Sequence, residues 1–281
     1  MEIAFLLIGG AGAGIFGSLL GLGGGVLIVP LLTLGAGLSI REAVGVSLVC
    51  VIVNSGAAAS VFLRRRAANL RLGMLLELST AAGALVGGLI AFLLSDRVLA
   101  LFFAILLVYV ATTMLRAARR SGLPVAQPRP LDTGGMDAAV NPPGRRTPID
   151  RLSGPGYTVR RLVPGSLGGI GAGIVSALLG IGGGIIMVPV MNLVMGVPLR
   201  VATATSNLMI GVTATASAII YLMRGGIDAY VAAPTAIGVF VGASIGARVV
   251  GRVDVRLLRM LFVVVQLYVA LQMVLRALAV S

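Results

Sequence analysis

The sequence predicts an all-α polytopic membrane protein made of two homologous repeats, each opening with a helix broken by glycine. Three observations carry this. The chain is apolar throughout, its apolar runs have the length of a bilayer crossing, and its first half is written again in its second. Hydrophobic residues make up 58% of the 281, charged residues 11%, and mean hydropathy is +1.07. A soluble domain carries about 25% charged residues. The stretches 72–94, 98–115, 201–223 and 257–275 hold at most one charge each, and such lengths cross a hydrocarbon core of about 30 Å as helix.

The duplication is direct. Residues 9–30 read GGAGAGIFGSLLGLGGGVLIVP and residues 168–189 read GGIGAGIVSALLGIGGGIIMVP, with fourteen of twenty-two positions identical at a constant offset of 159. The register continues through Arg41/Arg200, Ser47/Ser206, Gly83/Gly242, Gly87/Gly246 and Tyr109/Tyr268. A duplicated unit in a chain this apolar is the pattern of a two-repeat membrane transporter.

Each repeat divides into five apolar pieces: 3–21, 25–37, 42–63, 72–94 and 97–116, then 162–180, 184–197, 201–223, 229–248 and 255–279. The first two pieces of each are short and joined by Gly-Leu-Gly-Gly-Gly or Gly-Ile-Gly-Gly-Gly. Three glycines in a row, each costing about 1 kcal/mol against alanine in a helix, favour a broken helix or re-entrant hairpin. One long kinked helix with close glycine packing is the alternative. The first apolar segment is expected to be retained, since no basic region or small-residue cleavage site precedes it.

Repeat one covers 1–116 and repeat two 162–281. Between them, 117–161 holds seven of the twelve prolines and no long apolar run, and reads as a disordered hydrophilic linker. Its Arg119, Arg120, Arg145, Arg146, Arg160 and Arg161 place it on the cytoplasmic side. The net charge of +13 comes from arginine alone. These arginines cluster at the ends of apolar runs, so topology and lipid headgroups account for them and nucleic acid does not. The basic loop follows piece three in repeat one (Arg64, Arg65, Arg66, Arg71) and piece four in repeat two (Arg248, Arg252, Arg256, Arg259). Inverted repeats, each a re-entrant pair plus three crossings, would produce that shift; parallel repeats of four crossings each are the rival.

Enzyme chemistry finds little footing. There is no histidine, which removes a His-based triad and a HExxH zinc site. The glycine stretches lack the Gly-Lys-Ser/Thr ending of a phosphate loop. No cofactor is called for. Cys50 is alone and reads as a small core residue.

What remains is a site of backbone and hydroxyls. A glycine break inside the membrane exposes N–H groups, and helix N-termini attract anions. The candidate residues are Gly23, Gly24 and Gly25 with Ser47 and Asn54, and Gly182, Gly183 and Gly184 with Thr205, Ser206 and Asn207. Helix-to-helix hydrogen bonding is the plain alternative for any one of these hydroxyls. Glu77, an acidic residue inside an apolar run, is the candidate coupling residue; snorkelling toward Arg71 is its alternative, and its counterpart is Ala236. Arg41 and Arg200 open the third pieces as interface anchors or as guides for anions.

These residues resemble a known family. The doubled Leu-Gly-Leu/Ile-Gly-Gly-Gly-x-x-x-Val-Pro block (20–30 and 179–189), followed by Ser47-Leu48 and Thr205-Ser206-Asn207-Leu208, is similar to the TauE/SafE family, also described as the 4-toluene sulfonate uptake permease family. The resemblance covers the chain apart from the linker. It implies a multi-pass protein of a bacterial or archaeal cytoplasmic membrane. Such a protein is a secondary transporter moving a small sulfur-containing or organic anion, such as sulfite or a sulfonate, by alternating access. Its partners would be that anion and the bilayer, with assembly into a homo-oligomer left open. The chain departs from the pattern in its long linker and in Val46, where threonine often precedes the serine. A channel-like protein, scaffold or sensor subunit is the second reading; it has no need of paired glycine breaks or repeat-related hydroxyls.

Overall fold

The computed structural model describes residues 2–20, 23–64, 68–120, 157–249 and 255–279. Ten α-helices order them: α1 Glu2–Leu20, α2 Gly25–Pro30, α3 Ile40–Arg64, α4 Leu70–Ala91, α5 Asp96–Arg120, α6 Leu162–Leu179, α7 Gly184–Pro189, α8 Leu199–Met223, α9 Ala229–Val249 and α10 Val255–Ala279. Each of the short helices α2 and α7 ends at a proline and continues as one π turn, Leu31–Gly35 and Val190–Val194. Proline has no N–H for the i−4 carbonyl, so the α ladder loosens there into the wider turn.

Local chemistry sets the helix starts. Ser39 and Glu42 form a reciprocal capping box at α3, with Ser39 N–H and hydroxyl both donating to Glu42 Oε2 (3.0 and 2.8 Å) and Glu42 N–H donating back to the Ser39 hydroxyl. Asn69 caps α4 by accepting from Leu72 N–H at 3.1 Å. Among the described residues, six helical stretches are long and apolar enough to cross a membrane, within α3, α4, α5, α6, α8 and α9. Large apolar side chains such as Leu78, Leu93, Ile105, Val163 and Val264 point outward, as expected of a surface that meets lipid.

The glycine-opened pieces double back. Gly35, at the end of the first π turn, lies against the Phe5 ring near the start of α1. Arg160 N–H, just before α6, donates to the Met195 carbonyl at 3.0 Å, just after the second π turn. In each case the strand of chain that enters and the one that returns emerge at the same end of the bundle. Length and composition alone would class α6 as a crossing; its turn at Gly180–Gly183 makes it one arm of a hairpin.

At the centre α3 crosses α8. Ser55 bonds the Asn207 carbonyl while Gly45 sits on the Gly226 carbonyl, so the two helices run antiparallel although they occupy corresponding places in the two halves. On either side α1 packs along α9 and α6 along α4, both pairs parallel. Glycine lets these backbones touch: a side chain on Gly83, Gly173, Gly238 or Gly242 would strike the carbonyl of Ile170, Thr80, Leu7 or Ala11. The repeat-related Gly83/Gly87 and Gly242/Gly246 pairs therefore serve the same contact twice. Helix α5 packs on α10.

Helix boundaries fall within three residues of the sequence reading except at the end of α5; the second pieces are shorter than expected, closing at Gly35 and Val194. The linker expected at 117–161 is shorter at both ends. Helix α5 runs to Arg120. At the other end Tyr157 accepts a hydrogen bond from the Asn69 side-chain amide (2.8 Å) and Val159 is buried. Those contacts hold Tyr157–Arg161 against the bundle, a role that composition does not reveal. Residues 121–156, and the expectation of disorder there, lie outside the described residues.

Candidate functional site

Both glycine breaks meet at the middle of the molecule. Gly23 and Gly24 have φ of 78° and 77°, and Gly180, Gly182 and Gly183 have 68°, 83° and 72°; this left-handed region is where glycine alone is at ease. The breaks also touch. A Cβ on Gly25 would meet the Gly180 carbonyl and come within 3.0 Å of Ile181 Cα. One on Gly182 would lie 2.7 Å from Val51 Cγ1 and 2.5 Å from Ile210 Cγ2, and Gly23 faces the same two side chains. Val51 and Ile210 are themselves 159 residues apart, so corresponding residues line the junction.

The repeat-two break borders a small chamber of about 10 Å³, room for a single water molecule. Gly182, Gly183 and Gly184 form one wall, and the hydroxyls of Thr80, Ser206 and Thr213 line the rest with apolar neighbours. Ser206 is 1% exposed and its hydroxyl has no partner. Ser47, its counterpart, is spoken for: its hydroxyl donates to the Gly180 carbonyl at 2.7 Å. The equivalence written in the sequence is thus broken in the fold.

Glu77 stands beside this chamber. Thr213 donates to Glu77 Oε1 at 2.8 Å, the Thr213 and Thr80 hydroxyl oxygens are 3.1 Å apart, and Glu77 Oε2 is buried without a partner. The carboxyl therefore turns into the bundle and does not follow the snorkelling route toward Arg71. On its far side is a wider, open cavity of about 210 Å³ that Asn69, Gly73, Thr205 and Met209 also line. Neither Thr80 nor Thr213 is among the site residues that the sequence offers. The available signal was spacing, since Thr80 follows Glu77 by three residues and shares its helix face.

Gly182, Gly183, Gly184 and Ser206 come together as expected. Gly23, Gly24, Gly25 and Ser47 form the opposite break, where Ser47 closes on Gly180. Thr205 accepts from Asn69 N–H at 2.9 Å and lines the wider cavity. Asn207 folds back on itself, its amide donating to the Thr203 carbonyl at 3.0 Å. Asn54 is buried with both amide atoms unpartnered and does not line the chamber. Arg41 donates to the Leu94 carbonyl at 2.8 Å, pairs with Asp96 at 3.1 Å and lies over Phe92, so it fastens α3 to the α4–α5 turn. The side chain of Arg200 lies outside the described residues. A further cavity of about 400 Å³ among α1, α2 and α10 has no polar side chain among its lining residues, so no side chain there would hold an anion.

The family model described as sulfite exporter TauE/SafE matches residues 6–273. The chain belongs to the TauE/SafE family. Two proteins named as probable membrane transporters are similar to it. YunE of Bacillus subtilis (strain 168) is 24% identical over 281 residues, covering 98% of each chain. MJ0441 of Methanocaldococcus jannaschii is 28% identical over 228 residues, covering 78% of this chain and 72% of its own. No solved structure matches the chain significantly. As a TauE/SafE protein it is a membrane transporter of the multi-pass kind. Met187, Met191, Met195 and Met209 belong to one buried apolar cluster with Leu72, Leu76 and Val159, which joins α4 and the segment before α6 to the second hairpin.

Proposed function

We propose that this transporter moves a small anion, sulfur-containing or organic, such as sulfite or a sulfonate, by alternating access, with the repeat-two break as the substrate site. The observation that carries this reading is Ser206, a buried hydroxyl with no partner facing Gly182–Gly184. An unpaired buried hydroxyl costs about 1–3 kcal/mol, a cost that a ligand's acceptor oxygens would remove. Helix α7 begins at Gly184 and its first amides have no acceptor within the helix, so backbone donors stand beside the hydroxyls. Hydroxyls and amides without a cationic side chain suit a compact oxyanion; the same donors offer a metal cation little.

Alternating access draws support from the arrangement of the halves. Corresponding helices α3 and α8 run antiparallel, and α1 with α9 mirrors α6 with α4. Inverted repeats would account for this, and exchanging the conformations of two inverted halves opens a central site to each side in turn. No step of this reading makes or breaks a covalent bond. The test is a thermal-shift series on purified protein with sulfite, sulfonates, sulfate, thiosulfate, carboxylates and organic cations. A ligand held only by the folded protein raises its apparent stability, by about 2.7 kcal/mol at a hundred times its Kd. Stabilisation by cations and by none of the anions would overturn the reading.

A further inference from the structure

We propose that Glu77 takes up and releases a proton with each anion, so that transport is proton-coupled through one half of the molecule. The inference rests on reading the repeat-two chamber as the anion site.

Placement argues for it first. Glu77 lines the wider cavity, Thr80 and Thr213 line the small chamber, and Met209 borders both. The chain from Glu77 Oε1 through the Thr213 and Thr80 hydroxyls, with contacts of 2.8 and 3.1 Å, joins the two spaces. Oε2, buried and without a partner, is the position free to hold a proton delivered by water from the open cavity.

Charge argues for it second. An ionised Glu77 beside an anion in the chamber is a like-charge pair in a low-dielectric setting, which opposes binding. A proton on Oε2 removes that repulsion, so the binding of each favours the binding of the other. One proton and one singly charged anion enter together, cross as a neutral pair, and leave separately to water, with Glu77 ionised again. Among the described residues no other charge is placed to do this; the side chain of Arg200, at the start of α8, is not among them. Helix α6 carries no titratable side chain from Leu162 to Leu179. On α8, Tyr221 and Arg224 are at the far end, beside Phe92. Arg71, on α4 itself, is exposed. Near the open cavity the Tyr157 hydroxyl is bonded to Asn69. In the other half the corresponding residues are Ala236, Val239 and Asn54, none of which titrates, so the device occurs once.

The test uses full-length protein in liposomes with sulfite and with a sulfonate that stays singly charged. Wild type should accumulate the sulfonate when an inward proton gradient is imposed, with matching acidification of the lumen. Glu77→Gln, a permanently neutral isostere, should lose that accumulation to the level of empty liposomes yet still exchange labelled sulfonate across the membrane. Its apparent affinity should not vary with pH, whereas wild-type affinity should fall by up to about tenfold per pH unit once Glu77 ionises. Gradient-driven accumulation by Glu77→Gln at the wild-type level overturns the proposal. Infrared difference spectra keep the proton site separate from the substrate. Wild type should show a protonated-carboxyl band that disappears as pH rises and shifts in Thr213→Val. A titrating, Thr213-sensitive band in a protein that moves neither anion would leave the proton site standing and remove the anion reading. No such band in wild type overturns the proposal whatever the substrate.

Discussion

The Ser47 hydroxyl donates to the Gly180 carbonyl at 2.7 Å across 133 residues of sequence, so the third helix of the first half holds the break of the second. Ser206, at the same place in its own half, is equally buried and holds nothing. One serine fastens the junction, and the hydroxyl of the other is buried without a partner.

That division predicts opposite phenotypes. Ser47→Ala strands a buried carbonyl and should lower stability by about 1–3 kcal/mol with little change in anion affinity. Ser206→Ala should keep its stability and bind the anion about ten- to a hundredfold more weakly, the value of a hydrogen bond to a charged ligand. Thermal melts and binding isotherms on both variants decide this. A Ser206→Ala protein of unchanged affinity would remove the hydroxyl from the site.

Glycines along the helix pairs should differ from those at the breaks. Gly83→Leu or Gly242→Leu would drive a side chain into the Ile170 or Ala11 carbonyl, and neither protein should accumulate in membranes. Gly171→Leu, on an open face with nothing within 4 Å, should be tolerated. Gly183→Leu faces atoms no closer than 3.3 Å but needs φ of 72°, a strain of about 1–2 kcal/mol. It should insert, be mildly destabilised and lose transport. Normal transport by Gly183→Leu at equal abundance would remove the break from the mechanism.

Topology is readable with single cysteines in a Cys50→Ala background. Ser95 lies in the α4–α5 turn and Thr158 just before α6; both are exposed, at opposite ends of the bundle. If the arginine-rich end is cytoplasmic, Ser95→Cys should react with an impermeant thiol reagent on intact cells and Thr158→Cys should not. Labelling of both from outside would contradict their placement at opposite ends of the bundle.

Shortening the linker should be tolerated only up to Tyr157. Replacing 122–156 with about 20 flexible residues, which still span tens of ångströms, should preserve transport. Extending the cut through Val159 removes a buried side chain and the partner of the Asn69 amide, and should destabilise the protein. Transport lost in the shorter cut at normal abundance would give the linker a gating role.

Much of the architecture was legible because hydropathy and glycine act locally. Apolar length dictates the crossing helices, three glycines forbid a smooth helix at Gly23–Gly25 and Gly182–Gly184, and a constant offset of 159 states that the pattern occurs twice. The family could be read from the same residues. The site could be read only in part. Whether Ser47 or Ser206 is free depends on where the carbonyl of Gly180 falls, 133 residues from one and not bonded to the other. Thr213 joins Thr80 and Glu77 only because α8 packs along α4, and the Tyr157–Arg161 segment is held by partners far away in sequence, Asn69 and Met195. Backbone preference is encoded residue by residue; the pairing of polar groups is decided by which helices touch, and duplicated sequence does not make that packing symmetric.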